Sequence, residues 1–148
     1  MHLGNMVHVG GGELLYFDGI EFNNNVPRVD VIIGIAFLFT DLENRSRPDF
    51  AWRGLNRYLE VTGDYEGVAL LDYYLVFRVM VQAKVTAIRL AQTGGKESEE
   101  EFLAFVGQVE IYAAGHRPRL LLTHGLSGSG KTYFSQLVLE RIGAIRTH

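Results

Sequence analysis

The octapeptide Gly125–Thr132, Gly-Leu-Ser-Gly-Ser-Gly-Lys-Thr, is the segment that most restricts how this chain can fold. It fills every position of the pattern G-x-x-x-x-G-K-[ST], which lies between a β-strand and an α-helix in the proteins that carry it. The flanks agree with that setting, since Arg119–His124 is a short apolar run and Thr132–Ile142 has apolar residues at helical spacing. The sequence therefore predicts a strand–loop–helix unit.

The residue types of this loop suit a bound phosphate group. Glycines let the backbone curl until successive N–H groups converge on phosphate oxygens, and the helix N-terminus adds partial positive charge. Lys131 would reach the β- and γ-phosphates of a nucleotide, and the Thr132 hydroxyl would bind Mg²⁺. The alternative is a flexible Gly/Ser turn without a ligand. The pattern predicts ATP and Mg²⁺ as cofactors, and the nucleotide-binding residues would be Gly125, Ser127, Gly128, Ser129, Gly130, Lys131 and Thr132.

Composition limits the other classes of function. The 148 residues are 47% hydrophobic and 21% charged, the balance of a soluble globular protein with one domain and not comfortably two. The net charge of −3 gives no broad basic face, so no nucleic-acid partner is expected. The chain has no cysteine, which excludes disulfides and thiolate metal sites. The longest apolar run, Val31–Phe39, is too short to span a bilayer, so we expect a cytoplasmic protein without a membrane partner.

The remaining patterns predict a mostly α-helical α+β fold. Thr62–Asp64 should end one helix, and Gly115–Pro118 breaks the helical pattern, so we place a domain boundary between residues 1–116 and 117–148. The predicted elements before that boundary are two strands joined by three glycines and then four helices: Asn5–Val9, Glu13–Phe17, Val29–Glu43, Pro48–Val61, Glu66–Gln92 and Glu97–Ala114.

The second domain is short for a unit of its kind. Only sixteen residues follow Thr132, whereas one βαβ unit needs about thirty or more. Gly143–Arg146 could begin a next strand, but the predicted strand Leu120–Thr123 has no parallel neighbours to bury its two faces. We therefore expect residues 117–148 to be the start of a truncated domain and the least protected region in hydrogen exchange.

The N-terminal hairpin carries a second candidate site. Asn5 and Asp18 lie on opposite arms of this hairpin, and amide and carboxylate oxygens are ligands that Mg²⁺ prefers. Protein kinases hold Mg²⁺ with an Asn and a following Asp in this way. The alternative is that both residues form turns, as Asn and Asp often do.

These residues resemble the aminoglycoside-phosphotransferase-like kinases. The segments His2–Asn5 and Leu15–Asn23 are similar to the catalytic loop and the acidic hairpin of that family. The likeness is closest to bacterial two-domain proteins that join such a kinase-like domain to a P-loop ATPase or kinase domain. Other segments that look like that group, in the same order, are Asp41–Glu43, Arg47–Asp49, Thr62–Gly67, Gly125–Thr132 and Gly143–Arg146.

The resemblance implies that residues 1–116 hold the helical C-terminal lobe of a kinase-like domain and that residues 117–148 begin a P-loop domain. It assigns Mg²⁺ to Asn5 and Asp18 and gives Glu21 no role. The family's catalytic Asp would fall one position before Met1, so no catalytic residue is expected here, and the N-terminal lobe is missing.

The chain thus resembles an internal fragment of a larger enzyme. The parent would transfer phosphate from ATP to an unknown small-molecule acceptor, and the isolated chain would bind nucleotide without turnover. The alternatives are a non-enzymatic nucleotide-binding module and a helical interaction module.

Overall fold

The structure is a computed structural model that describes residues 5–9, 11–16, 30–115 and 118–147. It is mostly α-helical with one small antiparallel sheet, which confirms the predicted α+β class. Within those ranges, no helix combines the length and the apolar character needed to cross a membrane. The elements in chain order are β1 Met6–His8, β2 Leu14–Tyr16, α1 Val31–Asn44, α2 Pro48–Thr62, a 3-10 helix Glu66–Leu70, α3 Leu71–Thr93, α4 Lys96–Ala113 and α5 Lys131–Ile142.

Strands β1 and β2 form the predicted hairpin. Met6 lies opposite Tyr16 in an antiparallel register. The Val9 N–H extends the pairing by donating to the Glu13 carbonyl oxygen at 3.1 Å. The hairpin confirms the strand prediction, although each strand is shorter than the alternating pattern suggested.

The core lies where helices α1, α2 and α3 meet. Trp52 of α2 packs edge-to-face on Phe39 of α1, with ring centroids 5.0 Å apart. Each fully buried aliphatic side chain in such a core contributes about 1.5–3 kcal/mol through the hydrophobic effect. Helix α4 packs along α3 and adds Tyr112 to the core. The most buried apolar side chains, at most 2% exposed, are Ile32, Ala36, Phe39, Leu55, Leu59 and Val79.

Local signals explain where the first two helices begin and end. The Asp30 carboxylate caps α1 by accepting a hydrogen bond from the Ile32 N–H at 3.0 Å. Pro48 occupies the first turn of α2, where it has no helical N–H bond to lose. Gly63 ends α2 in the left-handed conformation, as the Thr62–Asp64 stop signal predicted.

The predicted helix Glu66–Gln92 differs at its start, because residues Glu66–Leu70 form a 3-10 helix before α3. The Asp64 carboxylate accepts the Gly67 N–H at 3.1 Å and tightens the chain here. Gly67 also passes directly against α1, since a Cβ built on it would lie 2.7 Å from Cγ1 of Ile32. This close approach favours a narrow first turn over a regular α-helical one.

The predicted strand Arg119–His124 is wrong for the structure of this chain. The segment has no regular secondary structure, and Leu120 and Leu122 are 82% and 84% exposed. A strand is defined by its ladder of hydrogen bonds, and no described residue pairs with this backbone. The run therefore has the composition of a strand, but no described segment supplies the backbone hydrogen bonds that a strand requires.

Residues 143–146 also do not form the strand that the sequence allowed for. They leave α5 and pack against α2, where Ile145 contacts the edge of the core. Helix α5 itself begins at Lys131 and lies against α2. The part of the chain after the predicted domain boundary is therefore in direct contact with the part before it.

Candidate functional site

The Gly125–Thr132 loop ends at the N-terminus of α5. Gly128 and Gly130 have φ angles of 78° and 81°, in the left-handed region that favours glycine. Gly130 is the N-cap residue of α5, and no side chain caps that end of the helix. The N–H groups of the first helical turn are therefore not occupied by a capping side chain, and they carry the partial positive charge of the helix dipole.

Lys131 folds back over this loop. Its ammonium group donates to the carbonyl oxygens of Gly125 at 2.8 Å and Leu126 at 2.6 Å. These contacts place a full positive charge beside the uncapped helix N-terminus. A phosphate at this position would offer the ammonium stronger, charged acceptors in place of the two carbonyl groups.

The loop is tightly curled around Ser129. The Ser129 N–H donates to the Leu126 carbonyl oxygen at 3.2 Å. A Cβ built on Gly125 would lie 2.9 Å from Oγ of Ser129, so a larger residue at position 125 would push the two sides of the loop apart. The residues of the loop before Lys131 are exposed to solvent. The loop can therefore receive an anion from solution, and its residues fit a phosphate.

Thr132 is the second residue of α5, and its side chain is exposed. Its backbone carbonyl accepts a hydrogen bond from the Ser135 hydroxyl at 2.9 Å. Thr132 thus directly follows Lys131 in the first turn of α5. The predicted nucleotide-binding residues are brought together by the structure, because they form one continuous turn.

The second predicted site is described in part only. Asn5 lies next to β1 and is half-buried. Asp18 and Glu21 lie outside the described residues, so the pairing of Asn5 and Asp18 on one Mg²⁺ stays a prediction. In the described part of the chain, no three His, Asp or Glu side chains cluster in a way that could hold a metal ion.

A polar contact between α2 and residues 143–146 was not predicted from the sequence. The Asn56 side chain is 2% exposed. Its Nδ2 donates to the Ala144 carbonyl oxygen at 2.9 Å, and its Oδ1 accepts the Arg146 N–H at 2.8 Å. A polar residue on the apolar face of α2 was the only sequence signal for this contact.

A second buried polar group joins α1 to α4. The Tyr112 hydroxyl donates to the Glu43 carboxylate and accepts a hydrogen bond from Nε2 of Gln108 at 3.1 Å. Burial raises the pKa of Glu43, and the hydrogen bonds from Tyr112 and Gln108 oppose that rise. Burial and the Glu43 carboxylate together raise the pKa of Tyr112 far above its usual value. At pH values where Glu43 is protonated, Glu43, Gln108 and Tyr112 form an uncharged hydrogen-bonded group between α1 and α4.

Comparison with known proteins finds relatives without an assigned function. Uncharacterized proteins of Mycobacterium bovis and of two strains of Mycobacterium tuberculosis are each 32% identical to this chain over 133 residues. The aligned region covers 90% of this chain and 26% of each relative. The chain thus spans about a quarter of the length of the curated relatives it matches. No protein-family model and no solved structure matches the chain.

Proposed function

We propose that this chain is the ATP- and Mg²⁺-binding portion of a longer phosphotransferase, one that joins an aminoglycoside-phosphotransferase-like domain to a P-loop domain. The observation that carries the proposal is the Gly125–Thr132 loop, which ends on an uncapped helix N-terminus with the Lys131 ammonium folded over it. Backbone N–H groups, a helix dipole and a lysine ammonium group are the elements that bind a nucleotide phosphate.

Each element of the loop has a separate role in this proposal. Lys131 exchanges its two carbonyl acceptors for oxygens of the β- and γ-phosphates. The first N–H groups of α5 bind the phosphate by charge-assisted hydrogen bonds. The exposed Thr132 hydroxyl serves as a Mg²⁺ ligand, and the metal would neutralise charge between the phosphates.

The helical body has the role of the kinase-like C-terminal lobe, with Asn5 and Asp18 as its Mg²⁺ ligands. A lobe of that kind holds metal and acceptor, whereas phosphoryl transfer also requires a base and an ATP-covering lobe. The proposal therefore assigns phosphorylation of a small molecule to the parent protein and the binding of MgATP to this chain.

Calorimetric titration of the chain with MgATP tests the proposal. We expect one saturable binding event, and we expect Lys131→Ala to weaken it at least about tenfold because a charge-assisted hydrogen bond is lost. Lys96→Ala is the matched control, since Lys96 is an exposed lysine in the first turn of a different helix, α4. Wild-type protein without binding heat, or equal affinities for the Lys131→Ala variant and wild type, would contradict the proposal.

A helical interaction module is the second candidate function. Large apolar side chains remain exposed on α3, among them Tyr73 at 64%, Phe77 at 44% and Met80 at 57%. Exposed apolar residues that cluster on one face are typical of interaction surfaces. This candidate predicts no effect of MgATP on thermal unfolding, whereas a ligand at a hundred times its Kd stabilises the folded state by about 2.7 kcal/mol.

A further inference from the structure

The contact between α2 and residues 143–146 is specific at the level of single atoms. Asn56 uses both ends of its side-chain amide on the backbone of this segment, since it donates to the Ala144 carbonyl and accepts the Arg146 N–H. A second hydrogen bond joins Nδ2 to the Trp52 carbonyl oxygen at 2.8 Å within α2. The buried amide thus pairs with the segment as a peptide group of a neighbouring strand would.

Arg146 continues this contact toward the loop. Its guanidinium pairs with the Glu60 carboxylate of α2. Its Nη1 lies 3.5 Å from the Ser135 hydroxyl, which in turn donates to the Thr132 carbonyl oxygen at 2.9 Å. A continuous series of polar contacts therefore runs from α2 through Arg146 and Ser135 to Thr132, at the end of the loop.

Trp52 lies at the other end of the same contact. A Cβ built on Gly143 would be 2.7 Å from Cε2 of Trp52, so the indole packs directly on the backbone that follows α5. The twelve residues of α5 form a helix about 18 Å long, so a rigid-body shift of α5 at its loop end would reach the indole. Trp52 is the single tryptophan of the chain, which makes it a selective optical reporter.

We infer that Asn56 and Arg146 are positioning residues that couple the Gly125–Thr132 loop to α2, so that binding of a nucleotide phosphate at the loop changes the environment of Trp52. The inference rests on the proposed function, because it describes how binding at that same site is coupled to α2. If nucleotide binding strengthens the docking of Arg146 on α2 by a given factor, the docking of Arg146 must strengthen nucleotide binding by the same factor.

If Asn56 and Arg146 served only to pack residues 143–146 on α2, their removal would have a different effect. Removal of these contacts would then lower the stability of the chain and leave the response of Trp52 to nucleotide unchanged. The two cases are therefore separated by a spectroscopic signal and not by stability.

The experiment is a MgATP titration in which Trp52 fluorescence and binding heat are recorded on the same proteins. In wild type, both signals should saturate at the same nucleotide concentration. In Ser135→Ala, which removes one hydroxyl and leaves the helix intact, the Trp52 response should fall at least about threefold. In Asn56→Leu and Arg146→Ala it should be lost, with MgATP affinity reduced about tenfold.

Two variants serve as matched controls. Ser98→Ala removes a hydroxyl from α4, and Arg141→Ala removes an exposed guanidinium from α5 itself. Both should keep the wild-type Trp52 response. If the two Asn56 and Arg146 variants do not fold, Ser135→Ala still decides the matter.

The outcomes separate the two proposals. Wild-type protein without binding heat overturns the proposed function and, with it, the coupling. Binding heat without a change in Trp52 fluorescence overturns the coupling alone. A Trp52 response in Ser135→Ala that equals the wild-type response would also overturn the coupling, because the contacts from Arg146 to Thr132 run through Ser135.

Discussion

Arg53 of α2 holds Glu140 of α5 with two parallel hydrogen bonds, from Nε to Oε1 at 2.7 Å and from Nη2 to Oε2 at 2.8 Å. This bidentate arrangement is the strongest geometry of an arginine–carboxylate pair. Arg53 precedes the domain boundary that the sequence predicts, and Glu140 follows it. The pair therefore joins two parts of the chain that the sequence describes as separate.

Loss of this pair should destabilise the docking of α5 in a pH-dependent way. The hydrogen bonds from Arg53 and Gln136 lower the pKa of Glu140 below its ordinary value of 4.5. A carboxyl group with a lowered folded pKa contributes stability above its unfolded pKa and loses it as the pH falls through the folded pKa. The difference in unfolding free energy between wild type and Arg53→Ala should thus be constant above about pH 4.5 and shrink below it.

Urea unfolding followed by Trp52 fluorescence measures that difference. Arg57→Ala is the control, because Arg57 is exposed on the same helix and its distance to the Glu60 carboxylate is 3.7 Å. A difference for Arg53→Ala that persists unchanged at pH 3 would mean that packing, and not the ion pair, joins the two helices.

Glu43 should give the opposite pH dependence. Burial raises its pKa above the ordinary value of 4.5, so its contribution to stability is complete below the unfolded pKa and is lost as the pH rises through the folded pKa. Glu43→Gln keeps a neutral partner for Tyr112. Wild type should therefore lose stability relative to Glu43→Gln in urea unfolding as the pH rises above about 4.5. Parallel stability curves of the two proteins above pH 4.5 would contradict the raised pKa of Glu43.

Tyr112→Phe tests the other half of the same group. The Tyr112 hydroxyl lowers the pKa of Glu43, so its removal should raise that pKa further. The variant should also lose about 1–2 kcal/mol of stability near pH 7, because a half-buried carboxylate loses one of its two hydrogen-bond donors. NMR titration of the Glu43 carboxyl carbon measures the first effect. An unchanged or lowered pKa would show that the hydroxyl does not stabilise the ionised form.

Hydrogen exchange should divide the residues after the predicted boundary into two groups. The Arg146 N–H is bonded to the buried Asn56 side chain, whereas the N–H groups of Leu120–Leu122 have no partner among the described residues. Exchange at Arg146 should therefore be at least about tenfold slower than at Leu120–Leu122. Equal rates at both places would contradict the docking on α2. The sequence predicts that residues 117–148 are the least protected region of the chain, and the docking of Arg146 on α2 predicts a difference in protection within that region.

Gly143→Ala should destabilise the chain by about 1–3 kcal/mol. Gly143 has a φ of 67°, and the added methyl group would lie 2.7 Å from the Trp52 ring. Gly107→Ala is the matched control, because Gly107 lies inside α4 with open space around it. This variant should be about 0.5–1 kcal/mol more stable than wild type, since alanine is the better residue inside a helix. Thermal unfolding of both variants measures the two effects. A neutral Gly143→Ala variant would mean that the segment after α5 does not rest on Trp52.

The helices were predictable because their signals are local. Pro48 and Gly63 mark the two ends of α2 by their own chemistry, and the structure places the ends of α1 and α2 within two residues of the prediction. The candidate loop is likewise a continuous segment, so its residues are neighbours in any fold. The strand at Arg119–His124 was not predictable in the same way, because a strand exists only when another segment supplies its hydrogen bonds.

The contacts of Asn56 were beyond sequence reasoning for a related reason. Asn56 and Arg146 are ninety residues apart, and a single sequence gives no measure of which distant polar groups meet. The hydrogen bond between Tyr112 and Glu43 likewise joins two helices whose relative placement only the fold defines. In both cases the available hint was a polar side chain on an otherwise apolar helix face.

The exposed segment Leu120–Leu122 has a consequence for the behaviour of this chain in concentrated solution. Three consecutive exposed leucines whose backbone has no partner among the described residues form a template for β-pairing between molecules, and Arg119 is the one charged residue that directly adjoins them. At high concentration, self-association should therefore begin at this segment while the helical core is still intact. A lysine at position 121 would act as a gatekeeper against aggregation without touching the core.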